Sequence, residues 1–345
     1  MQNQAMVMTD VRKFELQDIP MPEIGAGQVG VQVKSVTVCG SDMGFFDGKA
    51  FGIFPNSLPF VLGHEAAGVV YEVGEGVKNL KVGDRVAIEP GVPCGKCKFC
   101  ESGRYNLCPD VVFLATPPVE GAMKRYISHP AHKTYKLPDN VSFVEGAMIE
   151  PLSVGIHAVQ RGRVGVGDTV AILGGGSIGM CTVLAAKAWG ASRIIVSDLF
   201  KSHLDKALEI GATDVVNSGE EDAVKAILDM TDGEGVDVVF ETAGVPPTAQ
   251  STSEIVRRGG TIVMVGNIMK EVPFSFRNLY KKEAEVRAVF RYNNTYPLAI
   301  QAIASGRLKP MDIVTAQYPF EESEAAFNRA LDDKLNTVKV AINFD

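Results

Sequence analysis

The sequence lacks the features that define several large classes of protein. Its 345 residues include 34 basic and 41 acidic side chains, for a formal net charge of −7, and no block of basic residues is present. This balance disfavours nucleic acids and anionic membranes as partners. No apolar run approaches the length of a membrane-spanning helix, and Met1 to Pro20 has scattered charges. We therefore expect neither a membrane span nor a signal peptide.

Cysteine is also scarce, but four of the six cysteines lie within fifteen residues: Cys94, Cys97, Cys100 and Cys108. This loop-sized spacing suits the tetrahedral coordination of one zinc ion by thiolates. Glycines and prolines in and around the segment predict a loop rather than a helix or a strand. Two disulfides are the alternative, and they would fit a small secreted scaffold better than a long chain. Because four protein ligands leave no open position, such a zinc would be structural.

Length and composition indicate a two-domain globular protein. Hydrophobic residues make up 46% of the chain, which is enough for sizeable cores. A change of pattern near residue 150 predicts a first domain over 1–151 and a second over 152–285. We expect 286–345 to return to the first domain. Reduced thiols used as metal ligands indicate a cytoplasmic, reducing compartment.

The two halves of the chain predict different folds within the α/β class. In the first half, short β-branched runs broken by glycine, such as Val29–Val38, predict a β-rich, barrel-like domain. In the second half, apolar strand-like runs alternate with helix-like stretches. Val170–Leu173 precedes a predicted helix over Met180–Trp189, and Arg193–Ser197 precedes another. This alternation predicts a doubly wound parallel sheet covered by helices on both faces.

A glycine pattern in the second half predicts a dinucleotide site. Gly174, Gly176 and Gly179 form GxGxxG between a predicted strand and a predicted helix, where they allow a tight turn, approach of a pyrophosphate and close helix packing. Asp198 ends the next predicted strand, where a carboxylate accepts ribose hydroxyls and repels a 2′-phosphate, which favours NAD. The alternative is a glycine-rich turn with an incidental acidic residue. Two nearby side chains leave some use of NADP open: Lys201 and His203.

A second metal site is predicted in the first half. Cys39 follows one strand-like run, and His64 and Glu65 follow a glycine at the end of another. A thiolate, an imidazole and a carboxylate are donors that zinc accepts, and three protein ligands leave a fourth position for water or substrate. Each residue alone has another explanation, since Cys39 could be a small buried hydrophobe and His64 a core histidine.

Together these motifs resemble the zinc-dependent medium-chain alcohol dehydrogenases over essentially the whole chain. The motifs that carry the resemblance are Gly63–Gly68, Val82–Val86, the four-cysteine segment and the glycine pattern at Gly174. Further stretches are similar to the polyol branch, the sorbitol and xylitol dehydrogenases: Gly103–Leu107, Ala115–Pro118, Ile149–Gly155 and Val289–Tyr292. The resemblance implies a GroES-like catalytic domain, a Rossmann domain, NAD, two zinc ions per chain and a homotetramer.

The resemblance also implies roles for individual residues. In the polyol branch the positions of Cys39, His64 and Glu65 hold the catalytic zinc, with Glu150 beside it, either through water or as a direct ligand. Ser41 is assigned to the proton path. Residues at the substrate pocket or its edge would be Phe45, Phe113, Glu150, Arg291 and Tyr292. Residues along the dinucleotide would be Ile178, Asp198, Val265, Phe290 and Arg291, with His203 close by.

The implied activity is oxidation of a secondary alcohol of a polyol to a ketose, with transfer of a hydride to NAD. Threonine or 2,3-butanediol dehydrogenase activity is an alternative, because those substrates share the secondary alcohol. A third possibility is a non-enzymatic dinucleotide-binding protein, like the lens crystallins related to this superfamily. Such a protein has no need of an open metal site, so the three donors Cys39, His64 and Glu65 favour an enzyme.

Overall fold

The computed structural model describes residues 2–54 and 57–345, and the chain divides into two compact units. The first unit comprises Met1–Glu150, Tyr296–Gly306 and Val314–Asp345, and the second comprises Pro151–Thr295 and Arg307–Ile313. Among the described residues, no helix combines the length and the apolar character needed to cross a membrane.

The N-terminal part of the first unit is built mainly from strands. Its elements are β1 (Asn3–Asp10), β2 (Lys13–Ile19), β3 (Gln28–Thr37), α1 (Gly40–Phe46), β4 (Phe60–Val61), β5 (Glu65–Val73), β6 (Arg85–Ile88), β7 (Gly91–Val92), α2 (Lys98–Glu101), β8 (Val112–Phe113), β9 (Tyr126–Pro130) and β10 (Thr134–Lys136). The helix α3 (Phe143–Gly162) contains the boundary between the units.

Strands and helices alternate in the second unit. Its elements are β11 (Thr169–Leu173), α4 (Ser177–Trp189), β12 (Arg193–Asp198), α5 (Lys201–Ile210), β13 (Asp214–Asn217), α6 (Ala223–Asp229), β14 (Val236–Glu241), α7 (Pro246–Ile255), β15 (Val256–Met264), α8 (Phe276–Lys282) and β16 (Glu285–Ala288). The chain then continues in the first unit through α9 (Tyr296–Ala304), β17 (Val314–Pro319), α10 (Ser323–Asp332) and β18 (Lys339–Asn343).

The main sheet of the first unit has the strand order β10-β6-β5-β3-β18-β17, and β9 also pairs with β3. Alternate residues of β3 face the core, since Val29, Val31 and Val33 are buried. The last strand, β18, pairs antiparallel with β3, and Ala341 lies opposite Thr37. This β-rich architecture confirms the fold predicted for the first half of the chain.

The sheet of the second unit is parallel throughout, in the order β13-β12-β11-β14-β15-β16. Its central strand β11 is buried on both faces, because Val170, Ala171 and Ile172 have no exposed surface. The strand order reverses between β11 and β14, and ligands of such sheets bind outside the carboxyl ends of the strands at this reversal. The predicted doubly wound fold is confirmed.

The prediction of a loop without helix over the four-cysteine segment is wrong at one point. Residues Lys98–Glu101 form the one-turn helix α2, because the N–H of Glu101 donates to the carbonyl of Cys97 at 3.0 Å. The turns on either side do need glycine, since Gly95 and Gly103 have φ angles of 73° and 74°. Local hydrogen bonding therefore adds a helical turn where composition predicted irregular backbone.

A buried histidine of the first unit predicts loss of stability in acid. Nε2 of His129, in β9, lies 2.9 Å from the carbonyl oxygen of Glu89. Burial lowers the pKa of His129 from 6.5 to about 4. The unfolded chain therefore binds more protons between these two values, so the free energy of unfolding falls as pH decreases through this window. The loss should be about 2 kcal/mol between pH 7 and pH 5.

Chemical denaturation of the wild type and of His129→Gln at these two pH values measures this contribution. The variant keeps a side-chain donor but no group that titrates in this window, so its stability should change less between pH 7 and pH 5. An equal change in both proteins would show that His129 does not contribute.

Candidate active site

The structure brings three predicted ligands together in the first unit. One ligand atom each from Cys39, His64 and Glu65 lies within 4.8 Å of the others. Cys39 follows β3 at the start of α1, and Glu65 begins β5, where it lies opposite Thr37 of β3. The pairing of two neighbouring strands therefore assembles donors that are far apart in sequence. The donor set fits zinc, and it leaves room in the coordination sphere for a fourth group.

Asp42 holds the imidazole of His64 in place. Its side chain is buried in α1, with Oδ2 3.3 Å from Nδ1 of His64, and it accepts a long hydrogen bond from the N–H of Gly63 at 3.4 Å. Burial opposes protonation of His64, but the charges of Asp42 and Cys39 outweigh it and raise the pKa of His64 well above its usual value. A carboxylate on one ring nitrogen fixes the orientation of the other, which is how metal-binding histidines are commonly held.

Glu65 is paired with a lysine from the far end of the chain. Its carboxylate has no exposed surface and lies 2.6 Å from Nζ of Lys339 in β18. Lys339 also donates to the carbonyl of Val38 at 2.9 Å, and the hydroxyl of Thr37 donates to Glu65. The lysine offsets one of the negative charges gathered at this cluster, so Glu65 can lie beside a thiolate in a buried site.

The other residues predicted for this site have different positions in the first unit. The ring of Phe113 lies 5.5 Å from that of His64, and the hydroxyl of Ser41 donates to Sγ of Cys39 at 3.4 Å. Glu150 is buried in α3 and lies outside the three-ligand cluster. Phe45 is also buried and packs on Phe54 and Phe60, two residues that line a cavity of about 480 Å³. The roles of Glu150 and Phe45 in the reaction stay predictions.

The four cysteines of the second cluster also converge. Ligand sulfurs of Cys94, Cys97, Cys100 and Cys108 lie within 4.8 Å of one another, with 3.4 Å between Cys97 and Cys100 and 4.0 Å between Cys94 and Cys100. Tetrahedral zinc with bonds of about 2.3 Å to sulfur needs sulfurs about 3.8 Å apart. All six cysteines lie in the described part of the chain and are free thiols, so the alternative of two disulfides is not adopted.

The electrostatics of this segment favour ionisation of Cys94 and oppose that of Cys100, because burial raises the pKa of Cys100 to about 12. The N–H of Lys96 lowers the pKa of Cys94 to about 7. Thiolates are the form in which cysteine binds zinc. The sulfur distances and the chemistry of the donors therefore both fit a closed, structural zinc site.

The glycine pattern of the second unit has the geometry of a dinucleotide site. A Cβ on Gly179 would lie 1.9 Å from the carbonyl oxygen of Gly174, so only glycine allows α4 to pack this closely on β11. Gly174 has a φ of 109°, which L-residues with side chains rarely adopt. A Cβ on Gly176 would meet no protein atom within 4 Å. This open space at the start of α4 fits the approach of a pyrophosphate.

Asp198 ends β12 at the same edge of the sheet. Its carboxylate accepts hydrogen bonds from the N–H groups of Gly175 at 2.6 Å and Phe200 at 2.9 Å, and it lies 3.3 Å from Nδ1 of His203. Burial tends to raise the pKa of Asp198, but the hydrogen bonds from His203, Phe200 and Gly175 outweigh it and lower the pKa. Lys201 is engaged by Asp205 at 2.7 Å. The edge therefore carries a stabilised negative charge.

The remaining residues predicted for the dinucleotide follow other strands or begin a helix of the second unit. Ile178 lies in the first turn of α4, Val265 follows β15, and Phe290 follows β16. The guanidinium carbon of Arg291 lies 4.8 Å from the ring centroid of Phe290. Arg291 has a φ of 56°, and Tyr292 is buried. Because the strands are parallel, residues that follow their carboxyl ends share one edge of the sheet.

Two residues at the metal cluster were missed from the sequence. Asp42 lies three residues after the candidate ligand Cys39, and this position was the available signal. Lys339 is the first residue of β18, directly before an apolar run, and this position gave no signal that the lysine is buried. Its partner Glu65 is 274 positions away, so the pairing could not be read from local pattern.

Comparison with known proteins identifies relatives along the whole chain. The family models described as alcohol dehydrogenase GroES-like domain and zinc-binding dehydrogenase match residues 25–139 and 177–305. Sorbitol dehydrogenase from Bacillus subtilis is 44% identical, covering 98% of this chain and 96% of the relative. Sorbitol dehydrogenase from Mus musculus is 42% identical, covering 95% and 93%. A solved Escherichia coli structure, described as an oxidoreductase/dehydrogenase of unknown specificity involved in membrane biogenesis, has a TM-score of 0.96 at 39% identity and full coverage of both chains.

The fold, the two cysteine-containing clusters and these relatives agree on one family. The chain belongs to the zinc-dependent medium-chain alcohol dehydrogenases, in the branch of the polyol dehydrogenases. It is therefore an enzyme that acts on an alcohol, and a non-enzymatic, crystallin-like protein is not supported.

The two clusters predict two zinc ions per chain with unequal roles. Cys39→Ser should lose one equivalent of zinc and abolish turnover while the fold survives. Cys97→Ser should mainly lower the melting temperature or disturb assembly, because the closed site fixes a loop. Metal analysis, thermal denaturation and activity assays measure these effects.

Cys181→Ala is the matched control, since Cys181 is buried outside both clusters and should leave the zinc content unchanged. A single zinc per chain in fully active, metal-replete enzyme would contradict the assignment.

Proposed function

We propose that this enzyme interconverts a polyol, such as sorbitol or xylitol, and its ketose by oxidising a secondary alcohol with NAD. Zinc would be held by Cys39, His64 and Glu65. The observation that carries the proposal is this buried cluster of three donors, which suits a metal that must also accept a substrate oxygen. The 44% identity to a sorbitol dehydrogenase supports the substrate class.

Each residue of the cluster contributes to the chemistry in its own way. When bound, zinc would supply a Lewis acid for the substrate hydroxyl, and NAD would supply the hydride acceptor. Asp42 keeps the free ring nitrogen of His64 aimed at the metal position. The Phe113 ring contacts the imidazole of His64 from one side, with 5.5 Å between the ring centroids. Ser41 is exposed and hydrogen-bonded to Cys39, so its hydroxyl can pass a proton from the substrate to solvent.

Asp198 supports the choice of NAD over NADP. The carboxylate is held ionised by backbone N–H donors, and a fixed negative charge at the end of β12 accepts ribose hydroxyls and repels a 2′-phosphate. His203 lies against this carboxylate, and Lys201 is paired with Asp205.

The cofactor proposal predicts that Asp198→Ala shifts the preference toward NADP. The ratio of kcat/KM with NAD to kcat/KM with NADP should fall about tenfold or more, since a hydrogen bond to a charged group is lost and the repulsion of the 2′-phosphate disappears. Asp205→Ala is the control, because this exposed carboxylate pairs with Lys201 in the same region.

Steady-state kinetics with both cofactors measures the ratio. A wild-type enzyme that already preferred NADP would overturn the assignment of NAD.

The substrate class is supported by polar groups beyond the metal. A polyol carries several hydroxyls, and a pocket with only apolar walls would suit simple alcohols instead. We propose that Arg291 and Tyr292 contact the substrate pocket or its edge and that Arg291 also contacts the cofactor. The resemblance to the sorbitol dehydrogenases, many of which have tyrosine at the position of Phe45, implies that this chain lacks one hydroxyl that could bind a substrate oxygen.

A panel of alcohols with NAD, followed by absorbance at 340 nm, tests the activity. Arg291→Ala should reduce kcat/KM for polyols roughly tenfold more than for a short secondary alcohol, after correction for NAD affinity, because one hydrogen-bonding group is lost. Phe45→Tyr should raise kcat/KM for some polyols, because it adds the missing hydroxyl. Arg163→Ala is the control, since that arginine is largely exposed and pairs with Glu285.

Equal losses on both substrate types would mean that Arg291 serves the cofactor alone. A higher catalytic efficiency on threonine or 2,3-butanediol than on sorbitol, xylitol and galactitol would reject the polyol proposal.

We also propose that the enzyme assembles as a homotetramer. The edge strand β16 ends the sheet of the second unit, and exposed strand edges can pair with another chain. Large apolar side chains are exposed in and near this edge: Met269, Phe276, Tyr280 and Val286. Light scattering should give four times the 37.0 kDa of one chain, and a monomer would contradict the proposal.

A further inference from the structure

A buried lysine lies outside the catalytic cluster. Lys133 ends the short turn between β9 and β10, and only 5% of its surface is exposed. Lysine is almost never this buried unless its charge is paired. Its Nζ lies 3.0 Å from a carboxylate oxygen of Glu89, which has 1% of its surface exposed. Neighbouring groups must therefore compensate for the removal of these two charges from water.

Surrounding hydrogen bonds fix this ion pair. The hydroxyl of Tyr135 donates to the carboxylate of Glu89 at 2.8 Å, and the N–H of Glu89 donates to the carbonyl of Lys133 at 2.9 Å. Nε2 of His129 lies 2.9 Å from the carbonyl oxygen of Glu89. These contacts connect the end of β6 to β9 and β10, so Lys133 has a defined position in the barrel.

On its other side, Lys133 faces the four-cysteine segment. Its Nζ lies 3.5 Å from the ring centroid of Tyr105, a distance typical of a cation–π contact. The carbonyl of Tyr105 accepts the N–H of Cys108 at 3.0 Å, and Sγ of Cys108 accepts the N–H of Cys94 at 3.3 Å. Tyr105 therefore links the ammonium group to Cys108, and Cys108 is hydrogen-bonded in turn to Cys94.

The charge of Lys133 also acts on the cluster. Burial lowers the pKa of Lys133, and the negative charges of Glu89 and Cys100 oppose that shift. Four thiolates around one divalent zinc leave a net charge of about −2. The lysines inside the segment, Lys96 and Lys98, are exposed to solvent, which screens their charges. A buried ammonium group is screened much less.

We propose that Lys133, held in place by Glu89, sets a buried positive charge beside the four-cysteine site and, through Tyr105, holds the ligand segment against the barrel, so that zinc retention at this site depends on it. The inference rests on the structural zinc proposed for these cysteines. It concerns a residue about which the family's ligand pattern says nothing, because Lys133 lies 25 positions beyond Cys108 in sequence.

The test measures the rate at which zinc passes from the four-cysteine site to a chromophoric chelator. Full-length enzyme carrying Cys39→Ser serves as the parent, so that the catalytic zinc does not contribute. Lys133→Met alone would leave Glu89 buried and unpaired, which could unfold the protein. The informative variant is therefore Glu89→Gln with Lys133→Met, compared with Glu89→Gln alone.

The two variants separate the charge of Lys133 from the packing of the ion pair. The double variant should release zinc about tenfold faster than the parent or more, in line with the loss of an outer interaction of a metal site. Glu89→Gln keeps the ammonium group, so it should release zinc no faster than the parent. Lys133→Arg with intact Glu89 should retain most of the zinc. Lys136→Met is the matched control, because Lys136 is an exposed lysine on β10 that pairs with Asp84.

Equal release from the double variant and the parent would overturn the role of Lys133. Faster release from both Glu89 variants would also overturn it, since the ion pair would then matter only for packing. A parent without zinc at the four cysteines, recognised because Cys97→Ser removes none, would refute both the structural zinc and the inference.

Discussion

Burial of negatively charged ligand groups is the constraint on which the first unit depends. Glu65 has no exposed surface, and Cys39 and Asp42 add further negative charge within the same cluster. Removing an ionised group from water costs several kcal/mol unless a partner compensates. Lys339 supplies that partner for Glu65 at 2.6 Å. If these side chains are to stay deprotonated so that they can bind a metal, the site also needs a cation that cannot itself bind the metal.

The position of that cation in the chain links the metal cluster to the topology. Lys339 lies in β18, which pairs with β3, and β3 in turn pairs with β5, whose first residue is Glu65. The sequence separation of 274 residues means that the cluster is complete only after the last strand has joined the sheet. Contacts of this range form late, because loop closure costs entropy before they contribute. The return of the chain to the first unit is thus part of the site.

The sequence predicted those features whose causes are local. GxGxxG at Gly174 is recognisable because it lies between a strand and a helix, where Gly174 has a positive φ and Gly179 packs against the carbonyl of Gly174. The buried runs of β11 and β12 have the composition of parallel strands. The convergence of the four cysteines was predictable from their spacing, and that of Cys39, His64 and Glu65 from their donor types together with the family resemblance. The roles of Lys339 and Lys133 were not predictable, because each lysine pairs with a carboxylate that is distant in the sequence. The helical turn α2 was missed because hydrogen bonds to Cys97 outweigh the preference of the nearby glycines for turns.

Glu65 of the first unit and Asp198 of the second are stabilised in different ways, and the roles proposed for the two carboxylates explain the difference. Glu65 lies beside a lysine, whose full positive charge cancels its own, so the metal cluster does not accumulate repulsion. Asp198 is held by His203 and by the N–H groups of Gly175 and Phe200, and the two backbone donors stabilise its charge without cancelling it. An uncancelled charge is what discrimination against a 2′-phosphate requires, because a neutralised carboxylate would still accept ribose hydroxyls but would no longer repel the phosphate. Backbone donors at the end of β12 thus suit cofactor selection, as a lysine suits the metal ligand.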